Sequence, residues 1–235
     1  MQLSKLESEA YENLRRNGVL IFRIKDICLL LKINKIKAYN IVKALKIKGV
    51  LKKIGKGFLA VKGGDEFVMA TTINHPSYIS FWTALNYYGF SDQTPNKLFL
   101  VTTKYTKPIN NFKYVTLSKD KFFGYTKIGD LVIAEKEKAI IDSLLFPKYS
   151  GGIKEVSKSL QVALKELDYE KLISYAFKIK SKVVLRRLGF ILESLNCKKY
   201  LNKIKGNIGK GYELLDPSLK RRNNLNKEWL LDINY

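Results

Sequence analysis

Near the start of the chain, apolar residues recur three and four positions apart, the spacing that gathers side chains on one face of a helix. Leu3, Leu6, Ala10 and Leu14 share such a face and Gly18 follows Asn17 as a stop, so a helix is predicted over residues 4–17. A β-branched and aromatic run at residues 19–23 reads as a short strand. A brief apolar helix over residues 25–31 comes next, and Asn34 then stands as the N-cap of a longer helix ending at Lys48-Gly49. In that helix Ala38, Ile41, Val42 and Leu45 face one side, which leaves Lys35, Tyr39, Asn40, Lys43 and Lys46 mostly outside. Val50-Leu51 and Phe58-Leu59-Ala60-Val61 flank a basic turn at residues 52–57, and together they predict a two-stranded hairpin.

Paired glycines, Gly63-Gly64, punctuate the chain where the pattern changes. An extended stretch is predicted to end at His75-Pro76, followed by an aromatic-rich helix over residues 78–88, capped by Ser77 and stopped by Gly89. Strand-like runs follow at residues 98–103, 113–117, 122–127 and 130–134, then helices over residues 135–146, 153–164, 169–179 and 183–195. In the last of these Val184, Leu188, Ile191, Leu192 and Leu195 form one stripe, and the tail reads as short strands and turns around residues 212–215 and 229–233.

The predicted fold class is α+β, with an N-terminal winged helix-turn-helix over residues 1–64 and a mixed α+β domain over residues 65–235. Helix, strand, helix, turn, helix and basic hairpin are the parts of such a module. Its second paired helix enters the major groove and its hairpin touches the flanking backbone. Charge supports a polyanionic partner: 43 Lys+Arg against 21 Asp+Glu give a formal +22. Half of that excess, +11, falls on residues 1–64, which hold 15 basic and four acidic residues. Asn can bond adenine bidentately and Lys can donate to guanine, so Lys35, Lys37, Tyr39, Asn40 and Lys43 are expected at base edges. Lys46, Lys52, Lys53 and Lys56 are expected at phosphates, where they add affinity without sequence choice. The plainer alternatives are a solvated lysine-rich face or a winged helix used for protein docking.

Other chemistries find few parts. Cys28 and Cys197 stand far apart, so neither a disulfide framework nor a cysteine zinc site is legible, and Cys28 reads as core packing. No apolar run approaches the ~20 residues of a membrane span, which leads to the expectation of a soluble, cytoplasmic protein. The single histidine, His75, leaves histidine triads and multi-histidine metal sites incomplete. A metal-dependent nuclease built on Asp130 and Glu135 is the better enzymatic alternative, but Glu137 stands where a restriction-type core wants lysine. The turn at residues 206–211 has too few residues between glycines for a phosphate loop, and no Ser or Thr follows Lys210. Aromatics could stack on single-stranded RNA, yet Phe81, Trp82, Tyr87 and Tyr88 in one helical stretch, and Phe122, Phe123 and Tyr125, read more simply as core or interface. The chain is therefore expected to be no enzyme and to need no cofactor.

Several short motifs in order carry a family resemblance. Pro76-Ser77-Tyr78-Ile79-Ser80, Ala84-Leu85, Tyr88-Gly89 and Val101-Thr102-Thr103 resemble the AbiEi-type antitoxins of type IV toxin–antitoxin systems, a family of viral-defence transcriptional regulators. Residues 134–142 are similar to that family's Ala-Pro-Glu-Lys-Ala-Leu-Leu-Asp block, although Glu135-Lys136-Glu137-Lys138 lacks its proline. Residues 187–193 resemble its Arg-Leu-Gly-Tyr-Leu-Leu-Glu helix, and Leu214-Leu215-Asp216-Pro217-Ser218 with Asn226-Lys227-Glu228-Trp229 resembles its terminal signature. The resemblance spans nearly the whole chain. It implies a repressor that binds inverted repeats in double-stranded DNA upstream of its own operon. It further implies antagonism of a nucleotidyltransferase-like toxin without a stable complex, with antitoxicity in the C-terminal domain. Two half-sites would require a dimer or cooperative occupancy on DNA. A stand-alone regulator without a toxin would carry the same motifs.

Overall fold

The computed structural model describes residues 2–55 and 57–235. Among these residues the chain is a mixed α+β protein with ten α-helices and three sheets. The first sixty residues run α1 (Lys5–Arg16), β1 (Ile21–Phe22), α2 (Ile24–Leu31), α3 (Lys35–Ile47), β2 (Leu51–Gly55) and β3 (Phe58–Val61). Ser4 opens α1 with a capping box: its backbone N–H donates to Glu7 at 2.7 Å and its hydroxyl accepts from the Glu7 N–H. The strands form a three-stranded antiparallel sheet in the order β1-β3-β2, with a bulge between Lys53 and Gly55. Ala10, Leu14, Phe22, Ile27, Ala38, Val42, Leu45 and Leu59 fill the core beneath this layer.

A second, larger core begins with α4 (Glu66–Ile73), β4 (Ser77–Ile79), α5 (Phe81–Tyr87), β5 (Leu98–Thr102), β6 (Phe112–Thr116), β7 (Tyr125–Ile128) and β8 (Leu131–Ala134). The chain continues through α6 (Lys136–Leu145), α7 (Ile153–Ala163), α8 (Tyr169–Lys178), α9 (Lys182–Ser194) and α10 (Leu201–Lys205). It ends in β9 (Glu213–Leu214), β10 (Leu225–Asn226) and β11 (Leu231–Asp232). Five strands make a mixed sheet in the order β6-β5-β4-β8-β7, and the last three make a small sheet with β11 central. α6 lies amid α5, α7, α8 and α9 and is buried from Glu137 to Leu144.

Several segments differ from the sequence expectation: Leu201–Lys205 in the tail form α10, residues 122–124 lie outside β7, and two differences bear on the central sheet. The stretch leading up to His75-Pro76, expected to be extended, instead contains α4, because the Asp65 carboxylate caps the helix by accepting from the Phe67 N–H at 2.7 Å and the Val68 N–H at 3.4 Å. Ser77, expected as a helix cap, and Tyr78 and Ile79, expected in the helix it opens, form β4, which pairs with β5 on one side and β8 on the other. Every residue of β4 is buried, so it lacks the alternation that marks a half-exposed strand. The Gly189 backbone meets the Trp229 ring so closely that an added Cβ would lie 1.9 Å from a ring carbon. This is where the tail closes over α9.

The hairpin joins both cores. Ile54 and Ala60 pack into the larger cluster while Leu51, Leu59 and Val61 pack into the smaller one. α4 sits on the five-stranded sheet and also touches β1.

Candidate nucleic-acid interface

α3 is positioned by what precedes it. The Asp26 carboxylate accepts the Arg23 N–H at 2.6 Å at the start of α2, and α2 ends at Lys32, whose backbone adopts φ 52°. Asn34 then starts α3, its side-chain oxygen accepting the Lys37 N–H at 2.9 Å. The buried stripe Ala38, Ile41, Val42 and Leu45 fixes the helix rotation, because these residues pack on α1, α2 and the hairpin. Lys35, Ile36, Lys37, Tyr39, Asn40, Lys43, Lys46 and Ile47 are exposed as a result. All five residues expected at base edges therefore lie on the solvent side of one helix.

The hairpin extends this surface. A cleft of about 220 Å³ separates it from α3, lined by Tyr39, Lys43 and Lys46 on one wall and by Lys53 and Phe58 on the other. The Arg23 guanidinium sits 4.2 Å from the Phe58 ring centroid, which places another cation beside the hairpin. Lys35, Lys37, Lys43, Lys46 and Lys53 have no carboxylate within ion-pair distance among the described residues. Their charge is available to an external anion.

The neighbouring lysines differ. Lys52 reaches Glu66 of α4 at 2.8 Å, because adjacent strand positions face opposite ways and this one turns toward the larger core. Lys48 bonds Glu7 and also donates to the Gln2 carbonyl at 3.1 Å, tying the end of α3 to α1. Lys56 lies outside the described residues. Sequence reasoning missed Ile36, Arg23 and Phe58. Outward position on the helical wheel could have found Ile36, whereas the Arg23–Phe58 pair is created only by the sheet.

The chain superposes on the crystal structure of the RV2827C protein from Mycobacterium tuberculosis with a TM-score of 0.71, covering 98% of this chain and 92% of that one. The two share a fold. Their sequences are 12% identical, so the likeness to the RV2827C protein extends to architecture alone. No protein-family model and no curated protein matches the chain by sequence.

The larger part of the molecule turns its polar motif residues inward. Tyr78 and Ser80 donate to the Asp142 carboxylate at 3.1 and 2.8 Å, and Lys138, one turn from Asp142, bonds both Asp142 and the Tyr78 oxygen. Burial first, and the Asp142 charge second, hold the Tyr78 phenol well above its ordinary range. Arg187 donates to the carbonyls of Leu144, Leu214 and Leu215 at 2.7 to 3.0 Å, and burial lowers its pKa to about 10. These residues hold α6, α9 and the tail together.

The groups considered for other chemistry are engaged elsewhere. Glu135 accepts from Tyr175 and pairs with Lys171, Glu137 accepts the Asp168 N–H, and Asp130 pairs with Lys127 at 3.7 Å. Among the described residues no three His, Cys, Asp or Glu converge as a metal ligand set, and no helix is long and apolar enough to cross a membrane. The turn at residues 206–211 aims carbonyls of Ile208 and Lys210 at Arg186, the reverse of the N–H cradle a phosphate needs. Tyr78 stacks on Tyr125 at 5.0 Å, and Phe122 packs against both rings.

Proposed function

We propose that this protein is a sequence-specific, duplex-DNA-binding transcriptional repressor whose reader is a winged helix-turn-helix formed by residues 1–64. The unpaired cationic face of α3, with Lys53 beside it on the hairpin, carries this reading. A bare α-helix with its side chains is about 10–12 Å across, and the B-DNA major groove is about 12 Å wide. Lys35, Lys37, Tyr39, Asn40 and Lys43 then face base edges, while Lys46 and Lys53 meet phosphates. Lys52 contributes less, since Glu66 already neutralises it. Residues 65–235 form a regulatory body, and the motif resemblance supports a role as antitoxin against a nucleotidyltransferase-like toxin.

The decisive experiment is a gel shift on the promoter of the chain's own operon. Replacing Lys35, Asn40 and Lys43 together with Ala should weaken binding at least ~100-fold, given about 1–3 kcal/mol for each good base contact. If about 6 to 10 phosphates are neutralised, raising salt from about 50 to 200 mM should lower wild-type affinity by roughly 10³ to 10⁵. Undiminished binding by the triple variant would remove α3 as the reader. Rescue of growth when the neighbouring gene product is co-expressed tests the antitoxin role separately.

A further inference from the structure

The outermost stripe of α3 is mixed in chemistry. At about 100° per residue, Ile36, Asn40, Lys43 and Ile47 fall within an arc of about 60°, opposite the buried stripe. Ile36 is 73% exposed amid Lys35, Lys37 and Lys43, and among the described residues it joins neither apolar core. The Asn40 amide makes no hydrogen bond among the described residues. A partner for this stripe must offer negative charge around an apolar group, with a donor–acceptor pair nearby.

The major groove of duplex DNA offers that combination. Phosphates line it, the thymine 5-methyl is its apolar group, and adenine presents the donor and acceptor that a side-chain amide matches. Ile36 and Asn40 are one helical turn apart, about 6 Å along the axis, which corresponds to roughly two base-pair steps of 3.4 Å. Ile36 also sits in the first turn of α3, and recognition helices present their N-terminal residues to base edges. We infer that Ile36 packs on a thymine methyl group while Asn40 pairs with an adenine about two base pairs away. Ile36 is thus a specificity-determining residue, and the inference rests on the proposed DNA-reading function.

The test selects duplexes from a random library with the full chain, then replaces each thymine of the enriched half-site with uracil, which removes only the methyl group. One replacement should weaken binding about three- to tenfold, the scale of burying one methyl plus its packing. The same replacement should be silent for Ile36→Ala, which removes an exposed side chain and leaves the core intact. Enriched sites at which every uracil is silent, or a methyl dependence that persists in Ile36→Ala, would overturn the inference while leaving the DNA-reading function standing. Loss of self-association in Ile36→Ala with thymine preference unchanged would reassign the residue to a contact between copies. Failure to enrich any duplex would remove both.

Discussion

Lysines on α3 and lysines in the larger part of the molecule are the same residue type in opposite situations. Among the described residues Lys35, Lys37 and Lys43 stand exposed and without an ion pair, whereas Lys138 is fully buried and bonded to Asp142 and Tyr78. Arg186 and Arg187 follow Lys138, donating to backbone carbonyls deep beside the tail. A buried cation is tolerable only when its partners replace water, so these charges serve the fold. An exposed cation without a carboxylate contributes little to folding and remains open to an external anion. Formal charge alone merges the two populations; burial and partners separate them.

The largest expected effect comes from breaking the buried set. Asp142→Ala would strand Lys138 without its counter-charge and should cost about 3–5 kcal/mol in urea unfolding. Replacing the pair with Met at Lys138 and Leu at Asp142 should cost far less, and equal losses would show that the pair is not the source. Against this, the Lys35, Asn40 and Lys43 triple variant should move stability by no more than about 0.5 kcal/mol per site while abolishing tight DNA binding. A large stability loss there would make α3 another structural charge cluster.

Within the hairpin the contrast narrows to adjacent residues. Lys53→Ala should weaken duplex binding and reduce the salt slope by about one, whereas Lys52→Ala should change the slope little. Equal slopes would mean that Lys52 leaves Glu66 when DNA arrives. The smallest effect concerns Glu7, whose carboxyl the Lys48 ammonium, then the Ser4 N–H, holds below the ordinary 4.5. A depressed native pKa stabilises above the ordinary value and loses that contribution as pH falls through the native one. The urea midpoint should therefore decline below pH 4.5, and less steeply in Lys48→Met.

Much of the first sixty residues was legible because each signal is local. The Ser4 and Asn34 caps, the 3.6-residue apolar spacing and the hairpin runs act within a few positions, and α1, α3, β2 and β3 form close to where they predict. The face of α3 was legible too, since the helical period assigns Lys35, Tyr39, Asn40 and Lys43 outward once Ala38, Ile41, Val42 and Leu45 go inward. Lys52 and Lys53 were not separable, because a doublet says nothing about which strand face meets α4.

Composition and periodicity by themselves determined the order of elements in the first sixty residues, the concentration of positive charge there and the outward face of α3, because backbone hydrogen bonding and side-chain period are properties of neighbours in the chain. Only the tertiary structure decided that Lys138, Asp142 and Arg187 turn inward, that β4 is a central strand, and that the hairpin belongs to both cores. Those outcomes depend on partners dozens of residues away: Tyr78 lies 64 positions from Asp142, and Arg187 lies 43 from Leu144. Whether a charge is paired or free depends on what folding places beside it, and local periodicity carries no record of that.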